Sequence, residues 1–368
     1  MVEQRIFEEQ RRTTRRDKEK ESTKEATTVE HTRKEKILSA VVESYIRTGE
    51  PTGSKAVLSA TALPVSSATV RSELSSLDME GYLVQPHTSA GRIPTKKGYR
   101  YYIDNLMKRE APDERVREYI EQSIRSTSAS PEIILQRAAK ALAQLTGVAA
   151  VTTTPSSEEA RVHRIRFVST GRHTAMAVLI TSNGMVQSKL FRCEFVLTPE
   201  LLAMYDKALN DKFVGIRLKD INKAFLQSSA AGLGDLTFFI SDALMALYET
   251  VFQAMKVSVT AAGSTNLLFC DGYDLQGARE VLRFLSDSER LAGLLNNSVE
   301  SKIYLGGESD EKELEDSAVV VSRYDIAGQA AGAAAVIGPL RMDYETVFSQ
   351  VKYTSIIVSQ AIGEILDQ

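Results

Sequence analysis

Residues 86–104 read PHTSAGRIPTKKGYRYYID, and their types suit contact with an anion. The stretch holds two glycines, two prolines, three tyrosines and one histidine. Four basic residues (Arg92, Lys96, Lys97, Arg100) stand against one acid, Asp104. It is too basic and turn-rich for a core strand, and too aromatic for a plain linker. Residues 82–109 carry six basic groups and one acidic one, whereas residues 111–368 hold 25 Lys+Arg against 32 Asp+Glu. A basic patch on a mildly acidic chain points to an anionic partner at one end, the competing reading being a solvated basic face.

Other reactive constellations are absent from the sequence. His31, His87, His163 and His173 lack metal-ligand spacing, and Cys193 and Cys270 form no CxxC pair. SAGRIPTKKG carries its glycines and lysines in the wrong order for a phosphate loop. The acidic run GGESDEKELED (306–316) reads as a solvated loop. An enzyme is therefore the weaker reading, and no metal or cofactor is expected. Unpaired cysteines and the lack of an apolar leader suggest a cytoplasmic protein.

Elements that would position the basic stretch are legible upstream. In RKEKILSAVVESYIRT (33–48), Leu38, Val41, Val42, Tyr45 and Ile46 make one helix face, and Gly49 and Pro51 stop it. A short helix fits 54–61. Pro64 breaks the chain and Ser66 or Ser67 caps a third helix that ends at Gly81. Val70, Leu74 and Leu77 face inward, leaving Ser67, Ala68, Arg71, Ser72, Ser75 and Met79 outside. Short side chains let a backbone approach a surface closely, and an arginine can make bidentate contacts with guanine in the major groove. A strand (82–85), a turn, a return strand (92–93) and a Thr95-capped helix to about 109 follow. Helix-turn-helix plus ribbon predicts a winged DNA-binding domain.

Expected base contacts are Ser67, Ala68, Arg71, Ser72 and Ser75. Expected phosphate or minor-groove contacts are Thr69, His87, Ser89, Arg92, Lys96, Lys97 and Arg100. Tyr99, Tyr101 and Tyr102 read as packing rather than base stacking, and Gly91 as a turn conformation that a Cβ would oppose. Residues 1–32 are charged and low in complexity, which predicts a disordered tail.

Beyond residue 110 the periodicity changes. A helix fits 131–147, and strands fit 162–169, 174–181 and 185–195. Helices fill 198–257, another spans 275–295, strands return at 317–323 and 331–337, and a helix closes 343–366. This predicts an α+β multidomain chain, with β elements on both sides of 198–260 in one α/β domain.

The segments ILSAVVESYIRTGEPTGSKAV, VSSATVRSELSSLDMEGYL and QPHTSAGRIPTKKGYRYYIDNL, then NLLF (266–269) and VIGPLRMDY (336–344), resemble the heat-inducible transcription repressor HrcA family. The resemblance implies a winged helix-turn-helix (33–110), a GAF-like domain in two parts (111–197 and 261–368) and an inserted dimerisation domain (198–260). It implies repression of chaperone operons by a homodimer on double-stranded DNA, at an inverted repeat called CIRCE, with the chaperonin GroEL as modulator. After Arg71 the family often has Asn where this chain has Ser72. The alternative is a ligand-responsive winged-helix regulator with a small-molecule sensor domain.

Overall fold

The computed structural model describes residues 32–88, 90–125, 130–154, 159–232, 237–296, 301–326 and 329–366. All but the last residue of the tail read as disordered lies outside them. Two compact units are present. The first reaches to Val42 and takes in Pro51–Leu106, and the second holds Glu43–Glu50 and Met107–Gln368.

The first unit opens with α1 (Arg33–Thr48), α2 (Ser54–Thr61) and α3 (Ser67–Met79). Thr32 and Glu35 form a reciprocal cap at the start of α1: the Thr32 N–H donates to Glu35 Oε2 at 2.7 Å and the Glu35 N–H to Thr32 Oγ1 at 3.3 Å. Ser66, not Ser67, caps α3 by accepting the Thr69 N–H. Val70, Leu74 and Leu77 are buried, as the spacing requires. A ribbon follows, β1 (Leu83–Val84) against β2 (Ile93–Pro94), with Leu83 opposite Pro94. It is shorter than the sequence suggests. Pro94 belongs to the return strand rather than ending it, at a two-stranded edge where its missing N–H is tolerated. Helix α4 (Lys96–Tyr101) passes into a π-helical turn over Tyr102–Leu106 and stops there, short of the expected 109.

The second unit holds two separate antiparallel sheets. The larger has strand order β7-β3-β10-β9-β8, from β3 (Ala149–Thr153), β7 (Val259–Ala262), β8 (Lys302–Leu305), β9 (Ser317–Ile326) and β10 (Gln329–Pro339). Helices α5 (Glu114–Ile124), α6 (Pro131–Thr146) and α12 (Tyr344–Leu366) share a core with it through Ile124, Leu135, Tyr324, Ile357 and Ile362. Helices α10 (Leu275–Leu285) and α11 (Ser288–Asn296) lie between β7 and β8 in the chain.

The smaller sheet is β4 (Val162–Ser169), β5 (Thr174–Thr181) and β6 (Val186–Arg192), in that order. The sequence reading places these strands in one α/β domain with 317–337, but they do not join that sheet. Burial alternates along β5, whereas β9 is buried at nearly every position. A strand with one apolar face needs one covering layer, and a strand buried on both faces needs two. The inner face of β4–β6 closes on α7 (Pro199–Phe213), α8 (Lys223–Ala231) and α9 (Thr237–Met255) in a core that includes Ile165, Phe167, Leu179, Tyr205, Phe213 and Leu247.

Side chains from α7 take the groups on the outer edge of β4. The Ile165 N–H donates to Asn210 Oδ1 at 2.9 Å, and Asn210 Nδ2 donates back to the Ile165 carbonyl at 2.8 Å. The Phe167 N–H donates to Asp206 Oδ1 at 2.8 Å. An edge so occupied cannot template a further strand. Among the described residues, no helix is long and apolar enough to cross a membrane.

At the bulge of β10, Gly332 sits where a Cβ would stand 2.5 Å from Tyr324 Oη and 2.6 Å from the Thr153 carbonyl oxygen. Those two atoms are joined by a buried 2.7 Å hydrogen bond. Gly332→Ala should cost about 1–3 kcal/mol in urea unfolding, because neither neighbour can yield without breaking that bond. An alanine variant as stable as the parent would show that the bulge relaxes freely.

Candidate nucleic-acid interface

The exposed side of α3 carries short side chains around one arginine. Ala68, Arg71 and Ser72 are exposed, and Ser67, Thr69 and Ser75 are half-buried. Ser67 Oγ lies 3.0 Å from Ser54 Oγ, and Thr69 Oγ1 lies 3.0 Å from the capping Ser66 Oγ. Ser75 Oγ donates to the Arg71 carbonyl at 3.0 Å. Arg71 and Ser72 thus present the exposed polar groups of a face low enough for close approach.

Contacts from α1 fix this helix. Arg33 pairs with Glu73, and Lys34 reaches both Ser76 and Glu80. Lys34 holds the Glu80 carboxyl below its usual range. No local sequence signal announces these ties, since the partners are about forty residues apart.

The turn between β1 and β2 is anchored from two sides. Thr52 and Arg92 exchange backbone hydrogen bonds of 2.9 Å in both directions. Gln85 Nε2 donates to the Thr88 carbonyl at 3.0 Å and the Ala90 carbonyl at 2.9 Å, spanning the turn. Gly91 packs so close to Thr52 that a Cβ would stand 2.5 Å from its carbonyl carbon and oxygen. The sequence reading of Gly91 as a special turn conformation is therefore corrected: its φ is not positive, and close backbone approach is what demands glycine.

The basic residues of the stretch differ in their surroundings. Arg92 is turned inward: its Nε lies 2.8 Å from Asp78 Oδ2 as an ion pair, without the alignment of a hydrogen bond. Lys97 Nζ donates to the Glu80 carbonyl at 2.8 Å and stands 4.4 Å over the Tyr82 ring, and Arg100 pairs with Asp104 at 3.1 Å. Lys96, at the first position of α4, and His87 in the turn are exposed. Ser89 lies outside the described residues.

The tyrosines do pack. Tyr99 and Tyr102 are buried, and Tyr101 stands edge-on to Tyr82 with ring centroids 5.3 Å apart. The Tyr101 hydroxyl donates to Glu35 Oε1 at 2.6 Å, which pushes its pKa up to about 12. Thr95 caps α4 by accepting the Gly98 N–H, and a Cβ at Gly98 would stand 2.2 Å from the Tyr82 carbonyl oxygen. Asp78, Thr52, Gln85 and Glu35 are the positioning residues that the sequence alone did not single out.

Among the described residues, no cluster of three or more His, Cys, Asp or Glu side chains is arranged to hold a metal ion. Burial pushes the Cys193 thiol up to about 11, away from the thiolate a nucleophile needs.

The family model described as the HrcA protein C-terminal domain matches residues 132–348. A heat-inducible transcription repressor HrcA of Lachnoclostridium phytofermentans is 32% identical over 327 residues, covering 87% of this chain and 94% of that protein. One from Syntrophobacter fumaroxidans is 34% identical over 339 residues, covering 90% and 97%. A crystal structure of a hypothetical protein at 2.2 Å resolution superposes with a TM-score of 0.64 at 24% identity, over 91% of this chain and 99% of that one, which shows the shared fold. On the extent of these matches, the chain belongs to the HrcA family of heat-inducible transcription repressors.

Proposed function

We propose that the chain is a repressor of chaperone operons, acting in the cytoplasm as a homodimer on the double-stranded inverted repeat CIRCE. The observation that carries this reading is α3, whose exposed face offers short side chains around Arg71. In this reading α2 and α3 are the helix-turn-helix, α3 enters the major groove, and β1–β2 is the wing. Arg71 and Ser72 read bases, with Ser67, Ala68 and Ser75 lining the approach. Lys96, Lys97, Arg100, His87, Ser89 and Thr69 face phosphates or the minor groove. Arg92 serves differently: its pairing with Asp78 ties the wing to α3. The protein is not an enzyme in this reading, and the chaperonin GroEL modulates its activity by keeping the free repressor folded.

The five-stranded sheet with its helices is the GAF-like domain. In this reading the inserted domain takes in β4–β6 together with 198–260, a reading supported by the core that β4–β6 share with α7–α9. An inverted repeat requires two-fold protein symmetry. Helix α9 offers a seam for it: Phe238, Met245 and Phe252 recur every seven residues and are 73%, 55% and 50% exposed. A seven-residue repeat of apolar groups suits helix–helix pairing. The outer face of β4–β6 is also partly apolar, but it carries Arg164 and Arg166, the latter paired with Asp206 at 2.8 Å.

Fluorescence anisotropy on the inverted repeat and a scrambled duplex, over a salt series, tests the reading. A preference of about 10³ or more with a steep salt slope is expected. Equal, weak binding to both would overturn it. Arg71→Ala should cost about 1–3 kcal/mol on the operator alone and relax one base preference. Lys96→Ala should weaken both duplexes alike and lower the salt slope by about one. Arg92→Ala should leave that slope unchanged and instead lower the melting temperature, since its charge is spent on Asp78; a lowered slope would return Arg92 to the phosphate contacts. Met245→Asp should convert the dimer to monomer in sedimentation while leaving far-ultraviolet dichroism intact. A dimer that persists would move the seam to the sheet face.

A further inference from the structure

Between β4 and α7 lies an open cleft of about 540 Å³ that the repressor reading leaves without a role. Its size falls within the range of small-ligand sites. Its lining is cationic: His163, Arg164 and Arg166 come from β4 and Lys207 from α7. All four are exposed. Arg164 and Arg166 stand on the same face of the sheet, opposite Ile180 and Val178 of β5. Lys207 follows one helical turn after Ala203, whose short side chain leaves the cleft open.

The carboxylate in this lining is already engaged. Asp206 Oδ1 accepts the Phe167 N–H at 2.8 Å, and Oδ2 accepts from Arg166 Nη1 at 2.8 Å. That pair uses one nitrogen of a guanidinium whose side chain is 52% exposed. Among the described residues, no partner takes the Arg164 or Lys207 side chain. Other cations of the same region are neutralised: Lys189 pairs with Glu249, Arg217 with Asp220 and Lys219 with Glu159. Like charges gathered in one cleft repel, and a bound anion relieves that repulsion. The anion is not a peptide strand, because Asn210 and Asp206 occupy the β4 edge to which one would add. A nucleic-acid duplex is too broad to enter a cleft of this volume. A short chain of phosphates concentrates charge in a small volume, and guanidinium groups match phosphate oxygens two at a time.

We propose that this cleft binds a condensed phosphate, free or as the triphosphate of a nucleotide. Arg164 from the strand and Lys207 from the helix clasp the phosphate chain, with Arg166 and His163 beside them. The proposal goes beyond the repressor reading and does not depend on it.

Isothermal titration of the full chain at low ionic strength with tripolyphosphate, orthophosphate and ATP, all without magnesium, tests it. Saturable tripolyphosphate binding is expected, with orthophosphate about tenfold weaker because it meets fewer of the cations. ATP within about twofold of tripolyphosphate assigns the phosphate chain alone as the ligand, and ATP about tenfold tighter assigns a nucleotide. Arg164→Gln and Lys207→Gln, both at exposed positions, should each weaken tripolyphosphate about tenfold. Asp206→Asn keeps an acceptor for the Phe167 N–H but drops the charge, and should tighten binding about threefold. Lys36→Gln, an exposed cation of the first unit, should change nothing. Absence of saturable binding, binding indifferent to Arg164→Gln and Lys207→Gln, or an equal loss in Lys36→Gln would overturn the proposal. No DNA enters the titration, so its failure leaves the repressor reading standing.

Discussion

Two backbone hydrogen bonds between Thr52 and Arg92 decide how the first unit is put together. They join the link between α1 and α2 to the return strand of the ribbon, forty residues later. Only a residue without a side chain can stand beside them, and Gly91 does. Once the bridge is closed, the Arg92 side chain is carried to Asp78 near the end of α3. The ribbon is only two residues long on each side, too short to hold itself in water. It keeps its place because the bridge, the Asp78 pair and the Gly98–Tyr82 approach act on it from three directions.

This arrangement explains why basic residues in one short stretch have different fates. Lys97 and Arg100 have partners in the fold, on the Glu80 carbonyl and on Asp104, and Arg92 is drawn inward. Lys96, at the first position of α4, and Lys97 are both exposed. Counting charge along 86–104 therefore overstates what is available to a polyanion. The more telling feature is α3, where the large charged groups of an ordinary surface helix are missing around Arg71. A surface helix gains solubility from lysine and glutamate, so their absence on one face needs a reason such as close approach to another body.

Periodicity made most of the elements legible. Helices α1 to α3 fall where apolar spacing, Gly49 and the serine cap place them, and the buried set of α3 is the one its spacing gives. The tyrosines read as packing groups, and Tyr99 in α4 and Tyr102 in the π-helical turn are buried. Partnerships between distant residues were not legible. Asp78 and Arg92, or Glu35 and Tyr101, are ordinary surface types with no local mark of pairing. Gly91 was singled out for the wrong physical cause, since one sequence cannot distinguish a glycine needed for φ from one needed for contact.

The assignment of strands to sheets was the largest gap, and its cause is general. Burial alternates along β5 and is nearly continuous along β9, because one sheet has a single covering layer. Yet β5 reads TAMAVLIT, an apolar run without polar alternation, and β9 carries Ser322, Arg323 and Asp325, so the residue pattern does not carry the contrast. The outer face of β4–β6 and the exposed side of α9 lie outside the core that these elements share. Asn210 and Asp206 already occupy the free edge of β4, so association there has to proceed through side-chain faces rather than by strand addition.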